Sequence, residues 1–167
     1  MDYSSQIARL LHDEHMAEIA RLECLEGVLQ RQGRTHPSIG QDGVLKKLLT
    51  DVISSVETQS THHFAFEEEH LFPRLAAHGE PDIGRFLAGE HEAIREVGSA
   101  VAGLAKTAQQ DGFTEETWRE FQRLGLELIE RTIFHIQKEE MGFLPMIEQL
   151  LDGDEDSQLA LAYAEGR

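Results

Sequence analysis

The sequence predicts an all-α fold: an up-down-up-down four-helix bundle over residues 1–152, followed by a short acidic C-terminal tail over 153–167 that has room for one short helix. Three observations predict it. Apolar residues recur at helical spacing in four long stretches. Turn formers separate those stretches: Gly33, His36-Pro37-Ser38, His78-Gly79-Glu80-Pro81 and Gly112. A chain of 167 residues with 40% hydrophobic content suits one packed domain, and four Pro with 7% aromatics suit helices better than a sheet of short strands.

The first helix begins after Ser4 or Ser5, either of which can cap it, and its inner stripe runs Ile7, Leu11, His15, Ile19, Leu22, Leu29. It stops near Gln32-Gly33, and residues 34–43 read as a loop. The second helix is long, with Leu45, Leu49, Val52, Val56, Ser60, His63, Glu67 and His70 along one face and Pro73 near its end as a kink or stop. Pro81 suits the first turn of the third helix, whose stripe is Leu87, His91, Ile94, Gly98, Val101 and Ala105. Thr114 caps the fourth helix, with Glu115 and Glu116 in its first turn, where negative charge is favoured. The fourth stripe reads Phe121, Leu124, Leu128, Thr132, His135, Glu139 and Phe143, and the helix ends around Leu151-Asp152-Gly153.

The formal net charge is −16, from 31 acidic against 15 basic residues. That argues against nucleic acid or an anionic membrane as partner, since both call for a positive surface. No apolar run approaches the length of a membrane span. Met1-Asp2-Tyr3-Ser4 lacks the basic and apolar pattern of a signal peptide, so a cytoplasmic location is expected. The single cysteine, Cys24, excludes an intrachain disulfide, and its neighbours Leu22, Leu25 and Leu29 suggest an inert core thiol.

The chemistry lies in a repeat. His63-Phe64-Ala65-Phe66-Glu67-Glu68, ending at Pro73, returns 72 residues later as His135-Ile136-Gln137-Lys138-Glu139-Glu140, ending at Pro145. Residues i and i+4 share a helix face, so each copy aims an imidazole and a carboxylate at one point. A weaker echo links Glu14-His15 to Glu90-His91. The four stripes thus bring His15, His63, His91 and His135 inward with Glu67 and Glu139. Taken alone, a histidine on an apolar face is more often a hydrogen-bonded core residue than a ligand. Four of them with two buried carboxylates, which are costly unless paired or metal-bound, outweigh that reading. Imidazole plus carboxylate suits first-row transition metals rather than calcium or magnesium, and six ligands exceed one tetrahedral zinc; they fit two metals bridged by the carboxylates.

This pattern resembles the hemerythrin-like, or HHE cation-binding, family of four-helix bundles over about residues 7–150, including the flanking Leu71-Phe72-Pro73 and Phe143-Leu144-Pro145. The resemblance implies a non-haem di-iron centre, two iron ions bridged by Glu67, Glu139 and an oxo or hydroxo group; manganese or zinc suits the same ligands. It departs from the oxygen-carrying members at Arg95, one turn after His91, where those carry a further histidine. The expected function is therefore binding of, or reaction with, small oxidants or diatomic gases (oxygen, peroxide, nitric oxide). Reversible oxygen storage or a sensing module without turnover is the alternative, and the sequence leaves enzymatic turnover open. His70 and His12, each near an inner face, are candidate extra ligands. A ferritin-like carboxylate site needs Glu-x-x-His twice, and the chain has it once, at Glu67 to His70.

Overall fold

A computed structural model describes residues 3–31, 37 and 43–166. Among these residues every regular element is a helix: α1 (Gln6–Arg31), α2 (Gly43–Thr58), α3 (Phe64–Phe66), α4 (Phe72–Ala77), α5 (Pro81–Asp111), α6 (Glu115–Lys138), α7 (Leu144–Leu150) and α8 (Gly153–Glu165). Three π-helical turns, π1 (Gln59–His63), π2 (Glu67–Leu71) and π3 (Glu139–Phe143), join these pieces into continuous rods over 43–77 and 115–150. The loop expected over 34–43, with His36, lies outside the described residues apart from Pro37 and Gly43.

The caps follow from the sequence. The Ser5 hydroxyl accepts the Ala8 N–H at 3.1 Å at the start of α1. Thr114 accepts from the Thr117 N–H while Thr117 Oγ1 accepts from the Thr114 N–H, a reciprocal box at the start of α6. Gly112 ends α5 at φ 82°, a backbone region that favours glycine.

The π turns are the local feature the residue pattern did not predict. In π2 and π3 the helix widens at Glu67 and at Glu139: the Phe72 N–H donates to Glu67 O, and the Leu144 N–H to Glu139 O. Pro73 and Pro145 follow at once. A proline inside a helix lacks an N–H and presses on the carbonyl four residues back. The wider turn just before each proline accommodates that clash, as bulges at kinks commonly do. The inserted residue also rotates the inner face, so Leu71 is fully buried while His70 is only half-buried.

Helix α1 packs against α2 and α6, and α5 packs against α2 and α6, closing a ring of neighbours. Two apolar clusters fill it. One holds Leu25, Leu49, Val101, Trp118 and Phe121; the other holds Ile7, Leu11, Leu71, Phe143 and Ile147. Along α1 the order is Leu11, His15, Leu22, and along α5 it is Leu87, His91, Ile94, so the histidines form a polar layer between the clusters. Helix α8 packs against α1 and buries Asp156, Leu159, Ala160 and Tyr163. Asp156 accepts from the N–H groups of Gln6 at 2.7 Å and Ile7 at 3.0 Å and from the Ser5 hydroxyl at 2.6 Å, which fastens α8 to the start of α1.

Cys24 is exposed, contrary to its expected core position. Leu22, Leu25 and Leu29 form the buried stripe, and at about 100° per residue Cys24 lies well around the helix from Leu22. No helix among the described residues is long and apolar enough to cross a membrane.

Candidate metal centre

All six side chains that the repeat and its echo single out meet in the polar layer. His15, His63, Glu67 and Glu139 bring ligand atoms within 4.8 Å of one another, and so do Glu67, His91, His135 and Glu139. Every one of the six is buried, none more than 1% exposed. The two groups share Glu67 and Glu139, and each is able to hold a metal ion.

The inward atoms are the Nε2 nitrogens. His15 Nε2 lies 3.2 Å from His63 Nε2, and His91 Nε2 lies 3.0 Å from His135 Nε2. His15 Nε2 is 3.0 Å from Glu139 and His135 Nε2 3.1 Å from it. Glu67 stands 3.4 Å from His63 Nε2 and 3.3 Å from His91 Nε2. Despite these approaches, none of the four oxygens of Glu67 and Glu139 takes part in a hydrogen bond among the described residues. Four buried carboxylate oxygens without a donor are costly.

The outward atoms explain why. Each Nδ1 faces a carboxylate: His15 to Glu140 at 2.7 Å, His63 to Glu14 at 3.0 Å, His91 to Glu68 at 2.7 Å and His135 to Glu90 at 3.1 Å. An ionised carboxylate only accepts, so Nδ1 carries the proton and the neutral ring turns a lone pair inward. Two lone pairs 3.0 Å apart repel unless a positive charge lies between them. Two ring nitrogens about 2.1 Å from one ion and at right angles around it would stand about 3.0 Å apart, so the spacing suits a shared metal. Carboxylate behind imidazole is also the usual support for a metal-ligating histidine.

Without an ion, protons take up that role. Burial pushes His63 down, but Glu67 and Glu14 more than offset it and carry the ring up to about 10. His91 rises to about 9, against burial, because the carboxylates of Glu139 and Glu67 stand beside it. His15 is raised likewise, against burial, by Glu139 and Glu140. Glu139 stays well below the carboxylate range: burial opposes this, and His135 with the other rings prevails.

The four outer carboxylates obey the chain's internal symmetry. Glu68 and Glu140 are 72 residues apart, and Glu14 and Glu90 are 76 apart, matching the two repeats. Each has a further partner. Arg95 Nη1 donates to Glu68 at 2.9 Å. His12 Nδ1 lies 2.8 Å from Glu140, which also accepts from the Tyr3 hydroxyl at 3.2 Å. Lys138 donates to Glu90, and Tyr163 of α8 donates to Glu14. His12 therefore holds the carboxylate behind His15 rather than joining either group, and His70 rests against the Phe66 ring, 4.7 Å between centroids. Tyr3 and Tyr163 carried no spacing signal. The Glu14-His15 and Glu90-His91 echo was the one sequence trace of the outer carboxylates on α1 and α5.

Apolar rings seal the layer. Phe64 stacks on His91 at 3.9 Å, and Phe72 flanks the same ring at 5.6 Å. A cleft of about 640 Å³, lined by Glu14, His62, His63 and Gly166 among others, reaches the outer edge of the first group.

Residues 6–147 match the family model described as the hemerythrin HHE cation binding domain. No curated protein matches the chain.

Proposed function

Because the chain belongs to the hemerythrin HHE cation-binding domain family, we propose that it is a non-haem di-iron protein that handles small oxidants or diatomic gases. His15 and His63 would hold one iron and His91 and His135 the other, with Glu67 and Glu139 offering carboxylate oxygens to both. The observation that carries this reading is the sharing of Glu67 and Glu139 by two buried four-residue groups. Iron held there supplies electron exchange with oxygen, peroxide or nitric oxide.

The chain's own residues bind, orient and shield. Four imidazole nitrogens and two carboxylates offer each ion about four donors, fewer than the six common for iron-like first-row ions in oxygen and nitrogen surroundings, which leaves room for a small molecule. Glu14, Glu68, Glu90 and Glu140 fix the ring orientations and keep each proton on Nδ1. Phe64 and Phe72 exclude water from the His91 side. Arg95, in the place of a further histidine, turns onto Glu68 rather than adding a ligand, and this favours a reactive centre over a saturated carrier.

The ring of packed helices supports an up-down-up-down four-helix bundle over 1–152, with 153–167 as a C-terminal extension, and the formal net charge of −16 supports work away from nucleic acid and anionic membranes. Stopped-flow mixing of the reduced, iron-loaded protein with oxygen, peroxide and nitric oxide in turn tests the function. Oxidation of the centre by oxygen or peroxide is expected. Fully reversible oxygen binding without oxidation would select the storage or sensing alternative.

A further inference from the structure

The symmetry of the centre is broken just outside its proposed ligands. His15 and His91 occupy corresponding places, and each Nδ1 meets a carboxylate at 2.7 Å, Glu140 and Glu68 respectively. Glu140 is held from outside by the Tyr3 phenol and the His12 imidazole. Glu68 is held by the Arg95 guanidinium, and Arg95 Nη1 and His91 Nδ1 converge on the same oxygen, Oε1.

That difference has an electrostatic consequence. A carboxylate behind a ligating imidazole raises the basicity of the ring toward its metal. An arginine on the same oxygen draws on the same electron pairs and sets a permanent positive charge beside that half of the centre. The Arg95 and Glu68 side chains are 29% and 30% exposed, so water screens this charge only in part. Lys138 on Glu90, behind His135, adds a second cation to the same half, whereas Tyr163 contributes a phenol behind His63.

Resting on the di-metal reading above, we propose that Arg95 makes the His91–His135 half the weaker of two metal half-sites, so that the His15–His63 half fills first. At limiting metal the chain holds one ion, in a defined place. Two cations sharing Glu67 and Glu139 repel each other, so even a symmetric centre would load in two steps. The order of the halves and the response to Arg95 therefore carry the proposal.

The test is anaerobic calorimetric titration of metal-free protein with ferrous iron, and with cobalt(II) as a redox-inert probe. In Arg95→Gln the second step should tighten roughly tenfold, the lower end of what outer partners of a metal ligand control, with the first step unchanged. Arg95→Lys, which keeps the charge, should behave as the unsubstituted protein. His63→Ala, which leaves the Arg95 half, should hold its remaining ion more weakly than His135→Ala. A second step unchanged or weakened in Arg95→Gln, equal tightening in Arg95→Lys, or the reverse order in the two half-site variants overturns the proposal. Fewer than two ions bound by the unsubstituted protein removes the di-metal reading instead.

Discussion

His91 and His135 meet through Nε2 atoms 3.0 Å apart, while their Nδ1 atoms are engaged by Glu68 and Glu90. His15 and His63 repeat the arrangement at 3.2 Å, backed by Glu140 and Glu14. Such pairs need a positive charge between the facing nitrogens. Protons or a metal can supply it, and a competition between the two would govern metal uptake.

The shared carboxylates set the first expectation. Glu139 belongs to both groups and His63 to one. Glu139→Ala should therefore cost most of the bound iron, and His63→Ala should leave about one ion per chain. Elemental analysis of the purified variants measures this. Metal should also stabilise the fold, by about 2.7 kcal/mol per site when free ion stands at a hundred times its Kd. Unchanged iron content in both variants contradicts the ligand assignment.

Acidity gives the second. In the metal-free protein His63 at about 10 and His91 at about 9 lie above the ordinary histidine value of 6.5. A group whose folded value is raised stabilises the fold fully below the unfolded value and loses that contribution as pH climbs through the folded one. Metal-free protein should thus lose thermal stability between about pH 6.5 and pH 10, and the metal-loaded form less so. Metal uptake should release protons, and apparent affinity should weaken as pH falls. Parallel melting profiles for the two forms over that range would contradict this.

The outer carboxylates give a third. Glu140→Ala removes the acceptor behind His15, 2.7 Å from its Nδ1. Binding at that half should weaken roughly 10- to 100-fold with the helical fold kept. Calorimetric titration beside circular dichroism separates the two effects.

How much of this was legible in the residues depends on distance along the chain. The six inward side chains were readable because helical periodicity alone puts His63 over Glu67 and His135 over Glu139. Which ring each supporting carboxylate serves was not, because Glu140 faces a ring 125 residues away and Glu14 a ring 49 away. Such partners are set by packing, which periodicity does not encode. The π turns hid for another reason: one inserted residue changes no composition, and only Pro73 and Pro145 hint at it. That insertion is why His70, on the inner stripe of a regular helix, yields its place to Leu71. Tyr163 was illegible because α8 had to dock before its hydroxyl could reach Glu14.

The docking of α8 gives a fourth expectation. Asp156 accepts three hydrogen bonds from residues 5–7 at the start of α1. Asp156→Ala should cost about 1–3 kcal/mol, as loss of a charged helix cap does. Urea unfolding should show a lower midpoint with the same slope. An unchanged midpoint would mean that α8 contributes nothing through this contact.

The most direct test of the central claim is the metal-to-chain ratio of protein reconstituted anaerobically with ferrous iron and freed of excess by gel filtration. The shared use of Glu67 and Glu139 by two histidine pairs predicts two irons per chain. A ratio of one or none would contradict it.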